Sequence, residues 1–339
     1  MPAGLSHRRV IIVGAGQAGL AVAAALSAKG LRPQHEFVVI DAAPEGQRSW
    51  GSRWHSMMLL SDARHSSLPT RRLPGDQRRH PRVDEMVDYL RFVEAGLRVE
   101  TVWGIRAVGV EHRGNGSTLL LATTAGEVQT RNVVCATGAA AHPRVPKWAS
   151  GLTVPGVALH SRDYLYPRQI PTSDVLIVGG GNSGVQLARE LSASHRVTLA
   201  VRTPRRLRPT AGYAAAAGES VSWLSRERRA EPVFGDSYEQ LRRAGVTLRP
   251  AVTAAAGTTV SFADSSQAQP GSVILATGYL PGDGWLPDAA RKGTSRRTLT
   301  GMPGLFVAGM PRYGGRGADT IAGVWRDATT IAHHIIHRP

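Results

Sequence analysis

The chain has 339 residues, 42% of them hydrophobic and 19% charged, which is enough apolar material for a core of about two domains and excludes large-scale disorder. Its formal net charge of +16 rests almost wholly on arginine, with lysine only at Lys29, Lys147 and Lys292. Such a charge draws nucleic acid, anionic cofactors or anionic substrates, or it is merely spread over the surface. The single Cys135 excludes an internal disulfide and the paired thiols of a disulfide reductase, and its apolar run predicts a buried, unreactive thiol.

In chain order, 9–13 is a short β-branched strand ending at a glycine. An Ala- and Leu-rich helix follows over 18–29, and a second strand over 37–40. Strand, helix, strand implies a parallel sheet. Residues 10–28 are uncharged and nearly long enough to cross a bilayer. Gly14, Gly16 and Gly19 interrupt that run and no cleavage site follows it, so a soluble, cytoplasmic protein is expected. Residues 50–81 are rich in Arg, Ser and Pro and read as a long irregular segment, the kind that is functional or mobile. A helix over 84–95 would bury Met86, Val87, Leu90 and Val93. Strands are expected at 99–111 and 117–130, joined by a turn at 113–116, and at 133–137. The pattern then restarts with strand 174–178, helix 183–192 and strand 197–201. Apolar runs follow at 273–276 and 305–308, and a closing helix at about 320–336. What repeats is a whole nucleotide-binding unit.

Two glycine turns carry the chemistry. The first runs Gly14-Ala15-Gly16-Gln17-Ala18-Gly19 and the second Gly179-Gly180-Gly181-Asn182-Ser183-Gly184. Each follows a strand and opens a helix. In such a turn the first glycine permits the bend, the second lets a pyrophosphate approach the backbone, and the third lets helix and strand pack closely. The phosphate sits on the free N–H groups and dipole of the helix N-terminus. Asp41 ends the strand after the first turn, where an acid accepts from ribose hydroxyls. The second unit has Arg202 and Arg205 at the matching place instead, with Arg206 beyond. Their planar forks suit the 2′-phosphate of NADP(H). The first site is therefore set for a free ribose, read as FAD, and the second for NADPH.

The arrangement resembles the class B flavin-dependent monooxygenases, the group of flavin-containing and Baeyer–Villiger monooxygenases. Gly156 to Tyr164, with His160 between them, matches that family's FxGxxxHxxx(W/Y) signature, and Val154 stands for its phenylalanine. Ala136-Thr137-Gly138 and Ala276-Thr277-Gly278-Tyr279 match its two ATG-type strand ends. Residues 50–69 resemble the stretch that runs beside the flavin, and 323–328 the helix that covers FAD. The resemblance implies an α/β fold of two Rossmann-like dinucleotide-binding domains. The NADPH domain, 150–282, would be inserted in a discontinuous FAD domain, 1–149 and 283–339. It also implies FAD and NADPH as cofactors, with a small molecule and O2 as substrates. Heteroatom or Baeyer–Villiger-type oxygenation would follow, with O2 activated at C4a of the reduced flavin. Trp50, Thr137, Gly138, Thr277, Gly278 and Gly309 join the cofactor contacts.

The chain departs from the family where Leu60 replaces an asparagine beside the flavin. That keeps open an NADPH-dependent electron-transfer reductase, and also a non-enzymatic dinucleotide-binding scaffold. Ser61, Asp62 and Arg64 are the candidates to face the flavin and oxygen, or else polar residues of a surface loop; Arg64 would stabilise an oxygen anion. Trp50 either packs on the flavin or fills core. His160 either orders one domain against the other or is a satisfied structural histidine. Arg71, Arg72, Arg78, Arg79 and His80 lack the aromatic interleaving of a nucleic-acid surface, so neither nucleic acid nor membrane is an expected partner. His333 and His337, spaced as metal ligands can be, lack a carboxylate or thiol to complete a site, so no metal is expected. A homodimer stays open.

Overall fold

The computed structural model describes residues 5, 7–113, 118–208, 233–291, 298–314 and 317–338. The chain divides into two compact units. One comprises 1–51, 61–142 and 281–339, and the other 52–60 and 143–280.

The first unit is built on a four-stranded parallel sheet in the order Leu305–Val307, Asn132–Cys135, Val10–Val13, Phe37–Ile40. Every residue of these strands is buried, as expected of a parallel sheet covered on both faces. Helix Gln17–Ala28 is buried from Ala18 through Leu26 and packs against helices Ile321–His337 and Val83–Leu97. Helix Val83–Leu97 buries Met86, Leu90 and Val93 as its pattern predicts, but leaves Val87 half-buried and buries Val83 and Tyr89 instead. An antiparallel sheet of Ala107–Arg113, Thr118–Thr123 and Gly126–Thr130 sends Leu119, Leu121 and Val128 into one core with Ile11, Val13, Val133 and Cys135. The expected strand over 117–130 is therefore two strands. Thr123 Oγ1 donates to the Gly126 carbonyl at 2.6 Å and accepts from the Ala125 N–H, closing a turn that alternation alone does not reveal. The expected strand over 99–111 starts only at Ala107, and the turn expected at 113–116 lies largely outside the described residues.

The second unit has a five-stranded parallel sheet in the order Thr247–Arg249, Arg196–Ala200, Asp174–Val178, Ser272–Leu275, Ala158–His160. Alternate side chains feed two cores. Val175, Ile177, Val197, Leu199 and Ile274 join the helix residues Val185, Leu187 and Leu191 on one face. Leu176, Val178, Ala200, Val273 and Leu275 join Val260 and Phe262 on the other. The latter two belong to an antiparallel sheet of Val252–Ala256, Thr259–Phe262 and Gln267–Ala268, which the sequence reading left unassigned.

Residues 52–60 belong to this unit, although the sequence reading placed them in the FAD domain. Trp54 is 2% exposed within the core of Val175, Ile177 and Leu187, and Ser56 Oγ donates to Glu190 at 2.8 Å. Among the described residues no helix is long and apolar enough to cross a membrane.

Candidate functional site

In the first unit the glycine turn is forced by backbone crowding. Gly14 adopts φ +114°, and a Cβ there would lie 2.4 Å from the Ala136 carbonyl oxygen. One at Gly19 would lie 1.8 Å from the Gly14 oxygen. At Gly16 a Cβ would meet no protein atom within 4 Å, so protein packing does not require glycine there. No side chain caps helix Gln17–Ala28 and no acidic residue occupies its first turn, which leaves the positive end of the helix to an anion.

Polar side chains brace this turn. Asp41 accepts from the Ala15 N–H at 2.7 Å and from the Ala43 N–H at 2.8 Å, so the expected ribose acid also holds the turn. Gln17 donates to the Asp319 carbonyl at 2.8 Å and accepts from Trp50 Nε1 at 3.0 Å, placing Trp50 at the helix start. Thr137 Oγ1 donates to the Gly282 carbonyl at 2.6 Å, Gly138 takes φ +86°, and a Cβ on Gly309 would lie 2.6 Å from Ala18. Arg48 is 4% exposed. Its Nε donates to the Ala15 carbonyl at 2.9 Å, its Nη2 pairs with Glu94, and its guanidinium lies 5.1 Å from the Trp103 ring centre. Arg48 escaped the sequence reading because its partner is 46 positions away in another element.

The second unit repeats the turn. Gly179 takes φ +123° with a Cβ position 2.2 Å from the Ala276 oxygen, and Gly184 would clash with the Gly179 oxygen at 1.8 Å. Helix Asn182–Leu191 again has no side-chain cap and no acid in its first turn. Asn182 Oδ1 accepts from the Phe234 N–H at 2.9 Å. The guanidinium of Arg205 lies over Gly181, whose Cβ would be 3.3 Å from Nη1; Arg202 is exposed. Tyr238, absent from the sequence reading, donates to the Gly180 carbonyl at 2.7 Å and accepts from the Arg205 N–H at 3.4 Å. Thr277 Oγ1 donates to the Arg144 carbonyl, and Gly278 takes φ +90°.

A model of the pyridine nucleotide-disulphide oxidoreductase family matches residues 11–309. The chain belongs to this family. It is 28% identical to the oxidoreductase CzcO-like of Geobacillus kaustophilus, over 97% of this chain and 98% of that one. It is 25% identical to the indole-3-pyruvate monooxygenase YUCCA4 of Oryza sativa subsp. japonica, over 97% and 87%. A flavin-containing monooxygenase from Stenotrophomonas maltophilia superposes with a TM-score of 0.78 at 25% identity, covering 96% of this chain and 97% of that one. The resemblance to class B flavin monooxygenases thus extends over the whole fold.

In this member of the family the disulphide chemistry of the family name has no support. Cys135 is fully buried beside Thr137 Oγ1, 3.2 Å away, and burial pushes its thiol up to about 12. His160 is 5% exposed in the second unit. Its Nδ1 accepts from the Arg162 N–H and its Nε2 donates to the Gly278 carbonyl, both at 3.1 Å, and burial holds it below the ordinary imidazole range. Both nitrogens are committed to backbone groups. Ser61 bonds Ser66 at 2.7 Å, Asp62 accepts from the N–H and Nδ1 of His65, and the Arg64 side chain is exposed; the structure gives Ser61 and Asp62 local turn duties. Arg71 stacks 4.4 Å from the Phe92 ring centre and Arg79 pairs with Glu85 at 2.5 Å. His333 and His337 have ring centres 4.2 Å apart, and His337 Nδ1 donates to the His333 carbonyl. No group of three or more metal-binding side chains occurs among the described residues.

Proposed function

We propose that this protein is an FAD- and NADPH-dependent monooxygenase that oxygenates a small molecule at a heteroatom or a carbonyl carbon. The observation that carries the reading is the pair of glycine turns whose second strands are followed by residues of opposite charge. One is braced by Asp41 and the other overlain by Arg205. Bound FAD, reduced by NADPH, supplies the oxygen-activating chemistry.

The chain's own residues bind and orient. The turn from Gly14 to Gly19, with Gln17 and Ala18 at the helix start, takes the FAD pyrophosphate, while Asp41, Trp50, Thr137, Gly138 and Gly309 frame it. Gly179, Gly181, Asn182, Ser183 and Gly184 take the NADPH pyrophosphate. Arg205, with Arg202, reads the 2′-phosphate, and its charge is delivered at a helix N-terminus that already favours anions. Thr277 and Gly278 hold the end of the strand beside that turn.

Oxygen-18 labelling tests the reading. The flavin-loaded protein is turned over with NADPH and labelled O2 in the presence of indole-3-pyruvate, and separately of an aryl thioether. Label in either product, with NADPH consumption rising on addition of that probe, is the expected result. Flavin reduction followed by quantitative peroxide, with fast electron transfer to a quinone and unlabelled probes, overturns oxygenation and leaves a reductase.

A further inference from the structure

We infer that Arg48 is the positioning residue that aims the first glycine turn at its ligand, an inference that rests on reading that turn as the FAD site. The Ala15–Gly16 peptide is planar, so its carbonyl and its N–H point in opposite directions. Arg48 Nε grips that carbonyl at 2.9 Å and thereby sets where the Gly16 N–H points. Among the described residues no protein group accepts from the Gly16 N–H, and the space beside Gly16 is open. The preceding peptide is gripped from the other side, because the Ala15 N–H donates to Asp41 at 2.7 Å. Both peptides flanking Ala15 are thus pinned by charged side chains, an anion on the N–H and a cation on the carbonyl.

The grip is itself held rigid. The Arg48 side chain is 1% exposed, Glu94 meets its charge, Glu94 accepts in turn from Thr101 Oγ1, and the face of Trp103 lies beside the guanidinium. Buried ion pairs of this kind seldom stabilise a fold better than apolar side chains of the same shape would. Orienting a peptide in an anion-binding turn is a role that an apolar residue does not fill. Were the Ala15–Gly16 peptide to flip, a carbonyl oxygen would replace an N–H facing the pyrophosphate, exchanging attraction for repulsion.

The experiment titrates FAD into the flavin-free full-length chain, wild type, Arg48→Met and Arg48→Lys, and follows flavin fluorescence. The melting temperature of each flavin-free form is measured alongside. Loss of one charge-assisted hydrogen bond to the turn is expected to weaken FAD binding by the folded Arg48→Met protein roughly 10- to 100-fold. Arg48→Lys, whose ammonium still donates to the Ala15 carbonyl, recovers part of that loss. Lower melting temperatures with FAD affinity unchanged in both variants would show a merely structural pair and overturn the inference while leaving the FAD site standing. A wild-type chain that takes up no FAD overturns both.

Discussion

The guanidinium of Arg205 lies over Gly181, so close that a single added carbon on the glycine would stand 3.3 Å from Nη1. A cation and a helix N-terminus converge at one point of the second unit, and no acid in that helix's first turn opposes them.

Arg205→Gln should raise the KM for NADPH about tenfold or more and spare FAD content, and a smaller rise for NADH would separate reading of the 2′-phosphate from contact with the pyrophosphate at Gly181. Steady-state kinetics with both reductants check this. The NADPH preference of the wild type should also shrink with added salt, because part of the Arg205 contribution is screened Coulomb attraction.

Two glycines of the first turn, Gly19 and Gly16, should fail in different ways. Gly19→Ala drives a Cβ into the Gly14 carbonyl and should prevent stable folding. Gly16→Ala meets no protein atom, so its flavin-free melting temperature should match the wild type while FAD affinity collapses. Equal FAD affinity for Gly16→Ala and the wild type would show that no ligand approaches that backbone.

Acid should destabilise the chain through His160. Its folded-state pKa lies below the ordinary value, so the unfolded chain takes up the proton first. The neutral form contributes its full stability above about pH 6.5, and that contribution falls as pH drops below the unfolded value toward the folded one. Melting curves from pH 8 to pH 5 should show the fall, and His160→Gln should flatten it. The same substitution should cost about 1–3 kcal/mol at neutral pH if the Gly278 carbonyl or the Arg162 N–H loses its partner.

Cys135→Ala should retain turnover within about twofold, since burial holds the thiol protonated and out of reach. Native protein should resist alkylation until unfolded. Loss of turnover in a variant that still binds FAD would restore a thiol role.

Both glycine turns and their parallel sheets were legible because each local signal agrees with the tertiary outcome. The apolar strands are buried throughout, and the glycines are dictated by neighbouring backbone. Asp41 was legible by position, although its bonds to the Ala15 and Ala43 N–H groups were not. Arg48 and Tyr238 were illegible because their partners, Glu94 and Gly180, lie 46 and 58 residues away. Ser61 and Asp62 were singled out as polar residues in an irregular segment, where a turn's own hydrogen bonds and an exposed site produce the same composition. The sheet over 252–268 gave little alternation, because Thr253, Ala254 and Ala256 all face solvent.

Trp54, 89 residues upstream of Pro143, where the second unit's main segment begins, joins the core of that unit. Exchanging residues 143–280 between relatives as one cassette would therefore import a core built around a foreign tryptophan or lacking one. A chimera should become soluble and cooperative only when 52–60 travels with the cassette, so recombination in this lineage has to exchange two separate segments together rather than one.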